Sequence, residues 1–200
     1  MRVTEAPNYS EPRDSISHDW LLKLSGWGMT PLPVPNLGCS AVAYVENLRP
    51  DLLILSGGED IGTNSIRDET ERTLFEHAFK TNLPVLGVCR GLQLINSIFG
   101  GTTGEVSGHI AKPHDVSIES EWQQFYKTKT QVNSFHTNCI MPGMLGDALQ
   151  ASAFDMDHNI EALHHPEMPI AAVMWHPERT GAPHGDHALI QSLILRGKQR

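Results

Sequence analysis

One ten-residue stretch, Pro84-Val85-Leu86-Gly87-Val88-Cys89-Arg90-Gly91-Leu92-Gln93, constrains the chain more than any other. A fully apolar run passes through Gly-x-Cys-x-Gly directly into a helical pattern over 91–99. A strand without polar alternation belongs to a sheet covered on both faces, the habit of parallel sheets. DLLILS over 51–56 repeats the signal and ends on Gly57-Gly58. Between the two runs, residues 67–81 place Leu74, Phe75, Ala78 and Phe79 at helical spacing. The alternation predicts an α/β three-layer sandwich, with a mostly parallel central sheet flanked by helices.

The flanking regions fit that scheme. Residues 2–5 read as a brief strand. Residues 15–25 form a helix with Ile16, Trp20, Leu21 and Leu24 on one face, stopped by Gly26 and Gly28. TPLPVP is extended because its prolines disfavour helix, and a further helix fits about 40–48. After Gly101 the pattern shifts to five short strands with turns between them, HDVSIES, KTQVNSFHTN, LQASAFD, NIEALHH and PIAAVMWH, antiparallel in character. A last amphipathic helix over 186–196 turns Ala188, Leu189, Leu193 and Ile194 inward. With no internal repeat or linker, the 200 residues read as a single domain, 1–200.

Charge narrows the function classes. Lys+Arg 15 against Asp+Glu 23 leaves a net charge of −8. No basic stripe exists to release counterions from a phosphate backbone, so polymeric nucleic acid and anionic membrane are poor partners. Cys39, Cys89 and Cys139 are odd in number, widely separated and without CxxC spacing, as expected of reduced thiols. The start, MRVTEAPNYSEPRD, has acidic residues and prolines where a signal peptide needs an apolar core. The expected location is cytoplasmic.

A strand, a Gly-x-Cys-x-Gly turn and a helix together describe a nucleophile elbow in thiol form, which pushes one side chain out above the sheet. At a helix N-terminus the thiolate of Cys89 is favoured by unpaired backbone N–H groups and the helix dipole. The competing reading is a small buried hydrophobe at a strand end. In Val173-Met174-Trp175-His176-Pro177-Glu178, His176 and Glu178 are two apart on an extended segment and so share a side. Alone, His-x-Glu describes many solvated strand ends. With an elbow elsewhere, Cys89, His176 and Glu178 form a candidate triad, in which the carboxylate orients the imidazole that serves the thiol. The loop Ser56-Gly57-Gly58-Glu59-Asp60 follows another apolar strand and should border the same crevice. A glycine N–H there, with that of Arg90, suits an oxyanion; a plain strand-to-helix turn is the alternative.

In this order and spacing, GVCRGLQ, WHPE and the SGG loop resemble the class I glutamine amidotransferase fold. Cys-Arg-Gly at the elbow, Arg67-Asp68 on the preceding helix and Asn133-Ser134-Phe135-His136 are similar to its gamma-glutamyl hydrolase branch. Glu11-Pro12-Arg13-Asp14 before the Trp20 helix, with the short Gly62–Arg67 connection, resembles compact members of that branch. These include the gamma-glutamyl-CDP-amidate hydrolases of capsule and other surface-polysaccharide phosphoramidate pathways. The resemblance implies Cys89 as nucleophile, His176 as base and acid, Glu178 as its orienter, and Gly58 and Arg90 as oxyanion donors. It further implies Gln93, Ser134, Phe135 and His136 as the lining of a glutamyl pocket.

The implied reaction is hydrolysis of a γ-glutamyl amide through a thioester, with no cofactor and no metal. The implied substrate is a small-molecule γ-glutamyl amide, nucleotide-linked in the most specific reading. The alternatives are a glutaminase subunit feeding ammonia to a separate synthetase, or hydrolysis of γ-glutamyl-GABA or polyamine conjugates. A homodimer is compatible with either. Among eleven histidines, His164-His165 and His184-Gly185-Asp186-His187 lack the spacing of a metal motif. Cys39 and Cys139 read as packing thiols, and Asp155, Asp157 and His158 as a polar hairpin turn.

Overall fold

The two apolar runs form the middle of a seven-stranded sheet in the computed structural model, which describes residues 1–199. In chain order the elements are β1 (Arg2–Glu5), β2 (Pro12–Ser15), α1 (His18–Gly26), α2 (Ala41–Leu48), β3 (Leu53–Leu55), α3 (Ser65–Thr81), β4 (Val85–Val88) and α4 (Arg90–Ile98). There follow β5 (Gly104–Glu105), β6 (His114–Ile118), β7 (Lys129–Val132), β8 (Asn138–Cys139), β9 (Gln150–Phe154), β10 (Ile160–His164), β11 (Ile170–Val173) and α5 (Asp186–Lys198). The main sheet runs β3-β4-β11-β10-β9-β6-β7. β3, β4 and β11 pair in parallel, and the remaining strands extend the same sheet antiparallel. This is the α/β architecture that the strand patterns imply, with the antiparallel strands of the main sheet confined to the C-terminal half.

The central strands are apolar because both faces are covered: every residue of β4, β10 and β11 is buried. α4 packs on β3, β4 and β11, and two glycines set the distance. A methyl at Gly87 would lie 2.7 Å from Ile95 Cδ1 and 2.8 Å from the Gly91 carbonyl, and one at Gly91 would strike the Leu55 carbonyl. α3 begins on an Asn64 cap, whose side chain accepts from Arg67 N at 3.1 Å, and ends on Asn82 in the left-handed region.

Four local expectations are corrected. β2 escapes the sequence pattern because it forms an exposed hairpin with β1 and has no apolar alternation to reveal it. KTQVNSFHTN is not one strand. β7 ends at Val132, Asn138–Cys139 pairs with β5 in a separate ribbon, and Phe135 touches Ile110 only through an isolated bridge. In α5 the inward positions are Asp186, Leu189, Ile190 and Leu193, with Ala188 exposed. The Asp186 carboxylate sets that phase by accepting from Tyr126 Oη at 2.7 Å and Trp175 Nε1 at 3.0 Å. Cys39 is exposed instead of packed, while Cys139 is buried.

Candidate active site

Because β3, β4 and β11 are parallel neighbours, their carboxyl ends lie side by side, and the Ser56–Asp60 loop, Cys89 and His176 emerge at one edge. Cys89 has φ 51° and ψ −105°, a left-handed conformation rare outside glycine. It caps α4, donates its N–H to Val173 O at 2.8 Å, and accepts from Leu92 N and Gln93 N. The strained backbone is thus fixed on one side by the sheet and on the other by the helix.

His176 is placed by Asn133. The Asn133 amide oxygen accepts from His176 N at 2.9 Å, and its nitrogen donates to His176 O at 3.0 Å and Thr180 O at 3.2 Å. His176 Nδ1 donates to Glu178 Oε1 at 2.8 Å, since a carboxylate can only accept. Nε2 of the same ring is buried and has no hydrogen-bond partner among the described residues. A methyl at Gly57 would lie 2.8 Å from His176 Cε1 and 3.6 Å from Cys89 Cβ, which brings imidazole and thiol side by side. Only a residue without Cβ leaves that approach open.

Burial dominates the electrostatics of the thiol. Removal from water pushes the Cys89 pKa up to about 11, the nearby Glu178 and Glu161 charges add to this, and the Arg90 backbone N–H and Arg179 charge offset only part. The helix terminus therefore does not produce a standing thiolate, contrary to the sequence expectation; desolvation outweighs it.

The loop bearing Gly57 and Gly58 is held from beneath. Arg67 is fully buried and donates to Ser56 O at 3.0 Å, Gly57 O at 3.1 Å, Glu59 Oε2 at 2.8 Å and Glu71 Oε1 at 2.8 Å. Its guanidinium fills the space that a side chain at Gly58 would need. Arg90 donates to Glu71 and Asp68. Glu71 thus bridges two buried arginines and joins the loop after β3 to the start of α4.

The remaining expected positions divide. Gln93 is buried, with Nε2 directed at Met174 Sδ at 3.8 Å. Phe135 stands edge-on to His176 at 5.6 Å and carries the Arg179 guanidinium on its face at 4.3 Å. Ser134 and His136 point elsewhere. Ser134 Oγ donates to His109 O at 2.6 Å, and His136 meets His109 and Glu161. Asn133 as a positioning group, Arg179, and the side chains of Glu71 and Arg90 have roles that the sequence alone does not assign. The Asn-Ser-Phe-His motif is the only signal that points to any of them.

His164, His165 and His187 have structural partners. His164 bonds Ser152 Oγ at 2.7 Å, His165 Nδ1 accepts from Glu167 N and Met168 N at 3.1 Å each, and His187 stacks on Trp27. Among the described residues, no helix is long and apolar enough to cross a membrane.

The family model for Peptidase C26 matches residues 3–178. A gamma-glutamyl-CDP-amidate hydrolase of Campylobacter jejuni is 32% identical over 185 residues, 86% of this chain and 84% of that protein. The glutamine-hydrolyzing component of GMP synthase from Methanococcoides burtonii is 32% identical over 141 residues, 70% of each chain. A crystal structure from Thermoplasma acidophilum, provisionally designated the corresponding GMP synthase component, superposes with a TM-score of 0.72 at 22% identity. The match covers 90% of this chain and 87% of that one, and it supports the fold alone. With a family match over most of its length and a relative aligned nearly end to end, the chain belongs to the Peptidase C26 family of class I glutamine amidotransferase-like proteins.

Proposed function

We propose that this chain is a cysteine-dependent hydrolase that cleaves the γ-glutamyl amide bond of a small-molecule conjugate and releases glutamate. The observation that carries this reading is the strained Cys89 elbow beside an imidazole whose Nδ1 is committed to Glu178 and whose Nε2 is free.

In this scheme the buried thiol is protonated until substrate arrives, and its proton passes to His176 Nε2 as Sγ adds to the δ-carbonyl. Glu178 keeps the tautomer that leaves Nε2 unprotonated, then stabilises the imidazolium. Backbone N–H groups of Gly58 and Arg90 receive the oxyanion. His176 returns the proton to the departing amine, leaving a γ-glutamyl thioester. Water, deprotonated by the same imidazole, attacks the thioester carbonyl; the C–S bond breaks, and glutamate and the thiol are restored. Gln93 and Phe135 line the glutamyl pocket. Ser134 and His136 act from behind it by fixing the segment that carries Phe135.

The most specific substrate is a gamma-glutamyl-CDP-amidate, a reading supported by the Campylobacter relative named for that activity and by Arg179, whose charge is exposed beside Phe135 and suits an anionic leaving group. A second reading, a glutaminase component serving a separate synthetase, has support in the relatives named as glutamine-hydrolyzing components of GMP synthase. The test is glutamate release by purified protein from γ-glutamyl conjugates of CDP-amidate, GABA, polyamines and folate, alongside free glutamine. Turnover of a conjugate without turnover of glutamine excludes the glutaminase reading. Glutamate release undiminished in Cys89→Ala overturns the mechanism.

A further inference from the structure

Glu161, on β10, is 1% exposed, and its Oε2 has no hydrogen-bond partner among the described residues. An ionised carboxylate is rarely left in such a position, since desolvation is severe unless a charge or metal compensates it. Three imidazoles surround it. His114 Nε2 lies 3.5 Å from Oε2, while His109 Nδ1 and His136 Nε2 lie 3.8 and 3.5 Å from Oε1. Both nitrogens of His114 are also buried without a hydrogen-bond partner. His136 Nδ1 donates to Asn138 O at 2.9 Å, so its Nε2 presents a lone pair toward His109 Nδ1, 3.3 Å away. Either His109 holds a proton between them, or both rings offer lone pairs to a cation.

We propose that His109, His114 and Glu161 bind a divalent transition-metal ion, with Zn²⁺ the ion best matched to two imidazoles and a carboxylate. One ligand atom from each residue lies within 4.8 Å of the others. Tetrahedral zinc with N and O bonds near 2 Å places its ligand atoms about 3.3 Å apart, so side-chain adjustments within ordinary rotamer freedom bring the three into range. Imidazole and carboxylate together suit zinc and its neighbours in the first transition row over calcium or magnesium, which prefer all-oxygen shells. Asp155 Oδ2 stands 3.7 Å from His109 Nε2, where it orients that ring from outside the ligand set. Three protein ligands leave a fourth position, beside which His136 stands. The ligands come from the segment before β6, from β6 itself and from β10, so the ion ties three separate stretches together next to the loop carrying Ser134 and Phe135.

Cobalt(II) is the probe, used in a Cys89→Ser background so that the thiol cannot compete as a ligand. One equivalent is expected to give visible d–d absorption that Zn²⁺ abolishes on displacement. His114→Gln and Glu161→Gln should each remove the band, with folding checked by circular dichroism. Asp155→Asn should weaken binding about 10- to 100-fold, as orienting partners do, and the exposed His18→Gln should leave it intact. Absence of the band in Cys89→Ser protein, or its persistence in both His114→Gln and Glu161→Gln, overturns the proposal. Zn²⁺ should also raise the thermal midpoint of Cys89→Ser but not of Glu161→Gln, a readout independent of catalysis.

Discussion

The parallel and antiparallel parts of the sheet gather chemistry in different ways. Around β3, β4 and β11, the side chains that matter follow within a few residues of a strand end, because parallel neighbours all deliver their carboxyl ends to one edge. Gly57, Cys89 and His176 meet there, though long stretches of sequence separate each from the next. Around β6, β9 and β10, the polar cluster forms by register instead: His109 and His114 precede or open β6, Glu161 lies inside β10, and His136 arrives from an irregular segment. The first kind of site is written in short motifs. The second is dispersed over single residues whose proximity depends on which strands pair.

The sharpest challenge to this contrast is Cys89→Ala, expected to lower glutamate release by at least about 10³-fold, or about 4 kcal/mol of transition-state stabilisation. Cys89→Gly should be equally inactive yet gain about 1 kcal/mol in urea unfolding, because glycine accepts the φ of 51° without strain. Failure of that gain would show that the elbow is not strained.

Next in size is the ion network that couples the β3 loop to α4. Glu71→Leu leaves Arg67 and Arg90 buried without their shared carboxylate and should cost about 3–5 kcal/mol by chemical denaturation. A cost near zero would mean that the loop is held by its backbone contacts alone. Gly87→Ala should cost about 1–3 kcal/mol, since the new methyl meets Ile95 and the Gly91 carbonyl.

The smallest effect tests the junction of the two parts. Asp186 lies under Tyr126, from the β6–β7 connection, and Trp175, after β11. Burial raises its pKa to about 7, with the two donated hydrogen bonds opposing the shift. Its unfolded value is about 3.9. Between those values the folded chain retains a proton that the unfolded chain has lost, so the stability this group contributes is present at low pH and declines as pH rises toward 7. The urea midpoint of the wild type should therefore fall from pH 5 to pH 8 more steeply than that of Asp186→Asn, a difference of about 1 kcal/mol or more. Parallel pH profiles for the two proteins would refute the assignment.

The legibility of the chain follows the same division. β3, β4 and α4 can be read from apolar runs, because a strand buried on both faces excludes polar residues, and the elbow is visible because its glycines stand at contact points with Leu55 and Ile95. His176 and Glu178 are readable as a pair because period-two geometry is local. KTQVNSFHTN reads as one strand but is not, because Asn133 spends its amide on the His176 backbone, an interaction across 43 residues that no local pattern encodes. The motif places Ser134 and His136 in the glutamyl pocket, but their side chains face the His109 cluster. The phase of α5 is set by Asp186 reaching Tyr126, a contact invisible to hydrophobic periodicity.

By itself, then, the sequence determined the layered α/β plan, the elbow and the His-Glu pair, all products of short-range backbone geometry and the exclusion of polar groups from covered strands. Tertiary structure alone decided that the Cys89 thiol stays protonated, that Glu71 joins two buried arginines, and that Glu161 sits among three imidazoles. Each depends on desolvation or on charge proximity between distant segments, quantities that exist only once the chain has closed around them.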